Sequence, residues 1–331
     1  MKKTTIALLT AAAMGTSGAV MAADHSPEFS GRIDFSYTNE SEDGSSGSLS
    51  NRSSKLEVSG SGEGVEGINT FYYARLGLDE DGEAGVDYAL AGASGAFGSL
   101  QAGIDDDLVY KFAGAHTDVY RGLGTVSSAY YSDDFVDFSF GQTASVQYSL
   151  TVDAFTFAAY ADTAGTTTLD RNVAETDDDG NETGEFEQEE ATVDNPDGIE
   201  RYQVAVGFDA GIGQVGLIYS DRDEAGDSSQ VVFGGRVDLD MVSLRGHVSD
   251  DENGNNPYAV AAIVPLTDIL SLTVGYGDDD EGGSSVAAMF LADLGGGLDV
   301  NVGYRNTSSG TVDDDGDAVE DAFNIGMRYS F

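Results

Sequence analysis

The sequence predicts an all-β fold, a sixteen-stranded antiparallel transmembrane β-barrel. Three observations predict it. Large apolar residues recur at every second position in segment after segment, which is the period of a strand with one apolar and one polar face. Basic residues fall on the polar parity of those segments: Arg32, Lys55, Arg75, Arg201, Arg236, Arg245, Arg305 and Arg328. An export leader opens the chain, yet no later stretch is long and apolar enough for a spanning helix, so membrane residence must come from strands.

The leader is residues 1–22, and residues 23–331 are assigned to the barrel. Lys2 and Lys3 make its basic start, Ile6 to Ala13 its apolar middle, and Val20-Met21-Ala22 a small-residue cleavage site. With Lys2 and Lys3 removed, thirteen Lys+Arg stand against 59 Asp+Glu, a mature net charge of −46. That charge disfavours nucleic acid as a partner and favours cations. The chain has no cysteine, so no disulfide or thiolate site exists. Its 44 glycines against 4 prolines suit many strands joined by tight turns.

The first strand runs from Phe29 to Tyr37, with Phe29, Ile33, Phe35 and Tyr37 on one face and Arg32 and Asp34 on the other. Ser54–Gly60 follows, with Leu56 and Val58 outward and Lys55 and Glu57 on the polar face. Ile68–Leu78, Val86–Ala93 and Ser99–Ile104 continue the meander. From Asp105 to Thr143 the alternation breaks, and a run of that length needs a functional reason. It returns at Ser145–Leu150 and Phe155–Tyr160, ahead of a long acidic segment, 161–200, placed outside the membrane. Nine strands follow in regular order, from Tyr202/Val204/Val206/Phe208 to Phe323/Ile325/Met327/Tyr329/Phe331. Pairing of Phe135–Gly141 as a further strand of a hairpin would raise the count to eighteen.

A soluble sandwich also alternates, but its apolar face must pack against a second sheet. Charge parity points to a barrel instead, because an arginine on a lipid face costs about 2–4 kcal/mol near the midplane. Tyr37, Tyr160, Tyr219, Tyr258, Tyr276, Tyr304 and Tyr329 lie at or near strand ends, where an interfacial aromatic girdle would sit.

The chain resembles the general diffusion porins of Gram-negative outer membranes. The resemblance is carried by Arg328-Tyr329-Ser330-Phe331, Phe29-Ser30-Gly31-Arg32, the run Ala91 to Gly98, and Tyr131-Ser132-Asp133-Asp134-Phe135. It implies a third loop, here 105–143, that folds into the barrel and constricts it. It implies that Phe331 is read by the outer-membrane assembly machinery, and that the protein is a homotrimer in the outer-membrane lipid. His116-Thr117-Asp118-Val119 matches the stretch bearing the first loop acid, so the resemblance gives that role to Asp118; the second acid's position falls near Gly122. Arg32 and Lys55 match two basic wall positions, a third falls on Asp87, and a fourth falls near Asp137 or Phe138. Arg75 shares the lumen parity without a family match.

The expected function is passive diffusion of ions and small hydrophilic solutes through a water-filled bore. Asp105, Asp106, Asp107 and Asp118 on the loop, with acidic mouths, predict a cation preference; Arg32, Lys55 and Arg75 keep it modest. Asp105-Asp106-Asp107 stands open to a second reading, a solvated loop mouth, and Lys111, His116 and Arg121 read as loop salt-bridge residues. Glu57, Asp87, Arg201, Arg236, Arg245, Arg305 and Arg328 complete the predicted lumen set.

No enzyme is expected. Gly62-Glu63-Gly64-Val65-Glu66-Gly67 spells a dinucleotide pattern but lies between strands and opens no helix. His25, His116 and His247 lack metal spacing. The runs Asp177-Asp178-Asp179-Gly180 and Asp313-Asp314-Asp315-Gly316 lack the closing glutamate of a calcium loop. No cofactor or metal is therefore assigned. The alternative function is that of an adhesin or surface-structural barrel using the long acidic loop.

Overall fold

The structure is a computed structural model that describes residues 26–40, 47–78, 84–121, 123, 143–162, 167–176, 182–193, 199, 201–222, 228–251, 256–278, 283–307 and 321–331. The leader, Phe135–Gly141, Gly122, Tyr131-Ser132-Asp133-Asp134-Phe135, Asp137, Phe138 and both Asp-Asp-Asp-Gly runs lie outside the described residues. The strands are β1 (Glu28–Glu40), β2 (Ser48–Asn51), β3 (Lys55–Glu63), β4 (Ile68–Leu78), β5 (Ala84–Gly95), β6 (Gly98–Asp105), β7 (Thr143–Val152) and β8 (Phe155–Asp162). A hairpin of β9 (Thr167–Thr176) and β10 (Glu182–Val193) follows. Then come β11 (Arg201–Asp209), β12 (Gly213–Arg222), β13 (Ser228–Leu239), β14 (Val242–Asp251), β15 (Tyr258–Pro265), β16 (Leu270–Asp278), β17 (Ser284–Asp293), β18 (Leu298–Thr307) and β19 (Asp321–Ser330).

Seventeen segments hydrogen-bond in one antiparallel sheet that closes on itself through β1 and β19. β2 and β3 both pair with β1, at Phe35–Thr38 and Glu28–Arg32 respectively, so they are two pieces of one wall strand and the wall has sixteen. Asp34 causes the break. Its carbonyl accepts the Arg52 N–H at 3.1 Å, its N–H donates to Ser54 Oγ at 2.9 Å, and its carboxylate accepts the Ser53 hydroxyl at 2.9 Å. Side chains of Arg52–Ser54 are thereby drawn across the inner face instead of continuing the ladder. Within the acidic stretch 161–200, β9 and β10 form a two-stranded sheet of their own among the described residues, apart from the barrel sheet.

Exposure separates the two faces of the wall. Phe29, Ile33, Phe35, Tyr37, Leu217, Phe233, Val260, Phe290, Ile325, Met327 and Tyr329 are exposed, whereas Asp34, Ser36, Gln147, Arg201, Gln203, Ser220, His247, Asn301 and Asn324 are buried. A soluble sheet would show the reverse. Outward apolar residues and inward polar ones are what a barrel in lipid requires, since closure satisfies every backbone group. The girdle needs one correction: Tyr160 is buried on the inner face beneath Arg201, because Phe155 and Phe157 take the outward parity of β8. Connections alternate between short turns, such as 153–154 and 240–241, and longer ones, and both the start of β1 and the end of β19 lie at the short-turn end.

Candidate functional site

After β6, the stretch 106–121 makes contacts with inward-parity residues of the wall. Asp107 starts it: Oδ1 accepts the Tyr110 N–H at 2.7 Å, capping a π-helical turn, Tyr110–Gly114, that continues as an α-helical turn, Ala115–Thr117. Its other oxygen accepts Arg201 Nη1 at 3.1 Å and Gln203 Nε2 at 3.0 Å, while Gln203 Oε1 takes the Leu108 N–H at 2.7 Å. One carboxylate thus both starts the helical turns and fastens them to β11.

Beyond that point, inward-parity glycines make room for the segment. A Cβ on Gly216 would lie 2.8 Å from Phe112 Cβ, and one on Gly234 2.5 Å from Ala113 Cβ. Thr117 Oγ1 meets His247 Nδ1 at 2.9 Å, Arg121 pairs with Asp299 at 2.7 Å, and Arg305 donates to the Leu123 carbonyl at 2.5 Å. Leu108, Val109, Ala113, Tyr120 and Leu123 are buried against these strands. Burial pushes the Tyr120 phenol up, and burial together with Asp118 does the same to Tyr110. His116 is held below the ordinary histidine value by burial first, then by Arg236 and Arg245.

Across the barrel, four basic side chains stand in a row on β19, β1, β3 and β4. Register puts Arg328 opposite Asp34, Arg32 opposite Lys55, and Glu57 opposite Arg75. Most carry an acid partner: Arg328–Asp34 at 2.5 Å, Lys55–Glu57 at 2.7 Å and Arg75–Asp87 at 2.9 Å. Arg32 instead donates to the Ser53 carbonyl at 2.7 Å. A bulge between Arg75 and Leu76 lets both Asp87 and Tyr88 reach Arg75, whose guanidinium lies 3.8 Å over the Tyr88 ring. The Tyr88 hydroxyl reaches across to Asp106 Oδ1 at 2.5 Å, joining this wall to the loop. Burial raises Asp106 above the ordinary aspartate value, against the pull of that hydrogen bond.

A closed sixteen-strand wall with this arrangement inside it is matched by a family model described as Gram-negative porin, over residues 9–331. The chain belongs to the Gram-negative porin family. No curated protein matches it. Among solved structures the porin is similar to OmpF of Salmonella typhi in complex with daunomycin, at 14% identity, covering 93% of this chain and 98% of that one with a TM-score of 0.69. It is also similar to an anion-selective porin from Comamonas acidovorans, at 14% identity, 93% and 100% coverage and a TM-score of 0.68. A third is the trimer form of OmpT, an outer membrane protein of Vibrio cholerae, at 15% identity, 93% and 99% coverage and a TM-score of 0.63. At such identities the likeness is one of fold.

The structure brings the predicted acids of the porin into different settings. Asp107 is buried against Arg201, and Asp105 is paired with Lys111 and hydrogen-bonded by Gln101. Asp106 bonds Tyr88, while Asp118 is exposed and accepts the Tyr110 hydroxyl at 2.9 Å. Arg32, Lys55, Arg75, Glu57 and Asp87 form one cluster; Arg201 and Arg305 hold the loop; Arg236 and Arg245 stand apart on β13 and β14. Phe331 pairs with Gly31 in both directions, at 2.9 and 3.0 Å. Sequence reasoning passes over Tyr88 and Gln203, over Tyr73, whose hydroxyl donates to Glu57, and over Gln147, which accepts from Lys111 and donates to the Asp106 carbonyl. Their signal was present: Gln147 sits on the inward parity of the strand that follows the irregular stretch, and Gln203 on that of the strand that follows the acidic segment.

Proposed function

We propose that this outer-membrane porin passes ions and small hydrophilic solutes by passive diffusion, with a modest preference for cations. The observation that carries the reading is the pairing along the basic wall. Lys55, Arg75 and Arg328 each have a carboxylate at 2.9 Å or closer, so the wall presents dipoles more than net positive charge. The excess of 59 Asp+Glu over 15 Lys+Arg then governs the sign at the mouths. In this reading the stretch 105–143 folds inward and narrows the bore, with Asp106 and Asp118 as its solute-facing acids, while Asp105 and Asp107 act as anchors. Three copies assemble as a homotrimer after export by the leader, with Phe331 read by the assembly machinery. Catalysis has no part in it.

Reversal potentials across a salt gradient in planar bilayers test the preference: a modest cation selectivity is expected, and a clear anion preference at low salt would overturn it. The β9–β10 hairpin favours a second reading, a surface-adhesive role, because it pairs apart from the barrel. Its deletion should leave conductance intact and abolish surface attachment if that reading holds.

A further inference from the structure

We propose that Arg236 and Arg245 form a separate site on the inner wall for a phosphate-type oxyanion carried by a small solute. The site rests on the channel reading only for access from solution. Register places the two arginines directly opposite each other on β13 and β14. Like charges so placed repel. This chain has 59 Asp+Glu with which to relieve the repulsion, and elsewhere it does so. Arg201 has both Asp107 and Asp162, Lys55, Arg75 and Arg328 each have one close acid, and Arg32, opposite Lys55, spends its Nε donor on the Ser53 carbonyl.

The β13–β14 pair is treated differently. Among the described residues, the one carboxylate within 4.0 Å of either guanidinium is Asp238, 3.5 Å from Arg236 Nε, too far for a good hydrogen bond. Asp238 is already engaged by the Ser243 hydroxyl at 2.6 Å. Arg245 Nε donates to Ser243 Oγ at 3.2 Å, and Arg236 Nε is buried without a hydrogen-bond partner among the described residues. Two planar forks with unspent donors are therefore held side by side, which is the geometry that receives a tetrahedral oxyanion bidentately.

Gln214 faces Arg236 and Ala261 faces Arg245 across the ladder. His116 lies close enough to feel both charges and Asp238. Asp240–Met241, the adjoining turn, puts the pair near the short-turn end. Around the wall, β13 and β14 are far from β3 and β4, so this site is distinct from the Arg32, Lys55 and Arg75 cluster.

The test uses the intact barrel in planar bilayers at constant ionic strength, with inorganic phosphate replacing chloride on one side at a time. Expected is a saturable drop in current, stronger from the short-turn side. Its midpoint should rise roughly tenfold in Arg245→Lys, which keeps the charge but loses the fork, and the drop should vanish in the Arg236→Gln/Arg245→Gln double variant. Both variants should still form open channels in potassium chloride, which separates failure of this site from failure of the channel reading. Calorimetric titration of phosphate into detergent-solubilised barrel gives a second readout independent of current. A drop that is unsaturable, that chloride reproduces, or that survives the double substitution would overturn the proposal. So would the absence of phosphate heat in the unsubstituted protein.

Discussion

Arg201 and Asp107 form a buried ion pair, 3.1 Å apart, with side chains only 7% and 4% exposed, 94 residues apart in sequence. Through it the stretch after β6 is tied to β11, and through the other oxygen of Asp107 the same stretch is started as a helical turn. Breaking such a pair from one side leaves a desolvated charge. Arg201→Met should therefore cost about 3–5 kcal/mol and give noisy, flickering single-channel currents. Denaturant titration and open-channel noise check both, and quiet currents with unchanged stability would refute the anchoring role.

The glycines beneath the loop make a size-dependent prediction. Gly216→Val should clash with Phe112, whose Cβ and carbonyl oxygen would lie 2.8 and 3.0 Å from a new Cβ, and overpacking of this kind costs about 1–3 kcal/mol. Gly85→Ala, where a Cβ meets nothing among the described residues within 4 Å, is the control and should change neither stability nor conductance.

Acidification should weaken the cation preference in a particular order. Burial raises Asp106 above 3.8, so it takes up its proton before the exposed carboxylates as pH falls. His116, held below 6.5, charges later than an exposed histidine would. The stability sign for Asp106 follows from its raised folded value: its contribution is whole below 3.8 and is lost as pH rises through the raised value. Asp106→Asn should remove the earliest part of the selectivity change, read as reversal potential against pH.

Closure by Phe331 and Gly31 predicts an assembly defect. The two residues exchange backbone hydrogen bonds at 2.9 and 3.0 Å, and the aromatic ring lies where a Gly31 Cβ would sit, 2.8 Å from Phe331 Cζ. Gly31→Val should displace the ring and lower the yield of folded, heat-modifiable barrel while leaving the conductance of correctly formed channels near normal.

The wall was legible because period-two alternation is a local property. All sixteen expected strands are present, and the burial of Arg201 follows from parity alone. What sequence could not supply was pairing. That Lys55, Arg75 and Arg328 bring their own acids depends on register between strands, and the Arg75 contact with both Asp87 and Tyr88 depends on a bulge that parity counting passes over. Asp105 and Asp107 read as equals of Asp106 because adjacency in a loop says nothing about which carboxylate turns to the wall. Tyr160 was placed outward by residue type, although its even position on β8 put it inside.

Single cysteines in this cysteine-free chain test the orientation of the wall most directly, with Arg32→Cys and Ile33→Cys compared in bilayer-inserted protein. A water-soluble, membrane-impermeant thiol reagent should modify the Arg32→Cys protein and step its current down, and should leave the Ile33→Cys protein unmodified and conducting. Modification of the Ile33→Cys protein alone, or equal modification of both without any change in current, would contradict an aqueous bore lined by the polar parity.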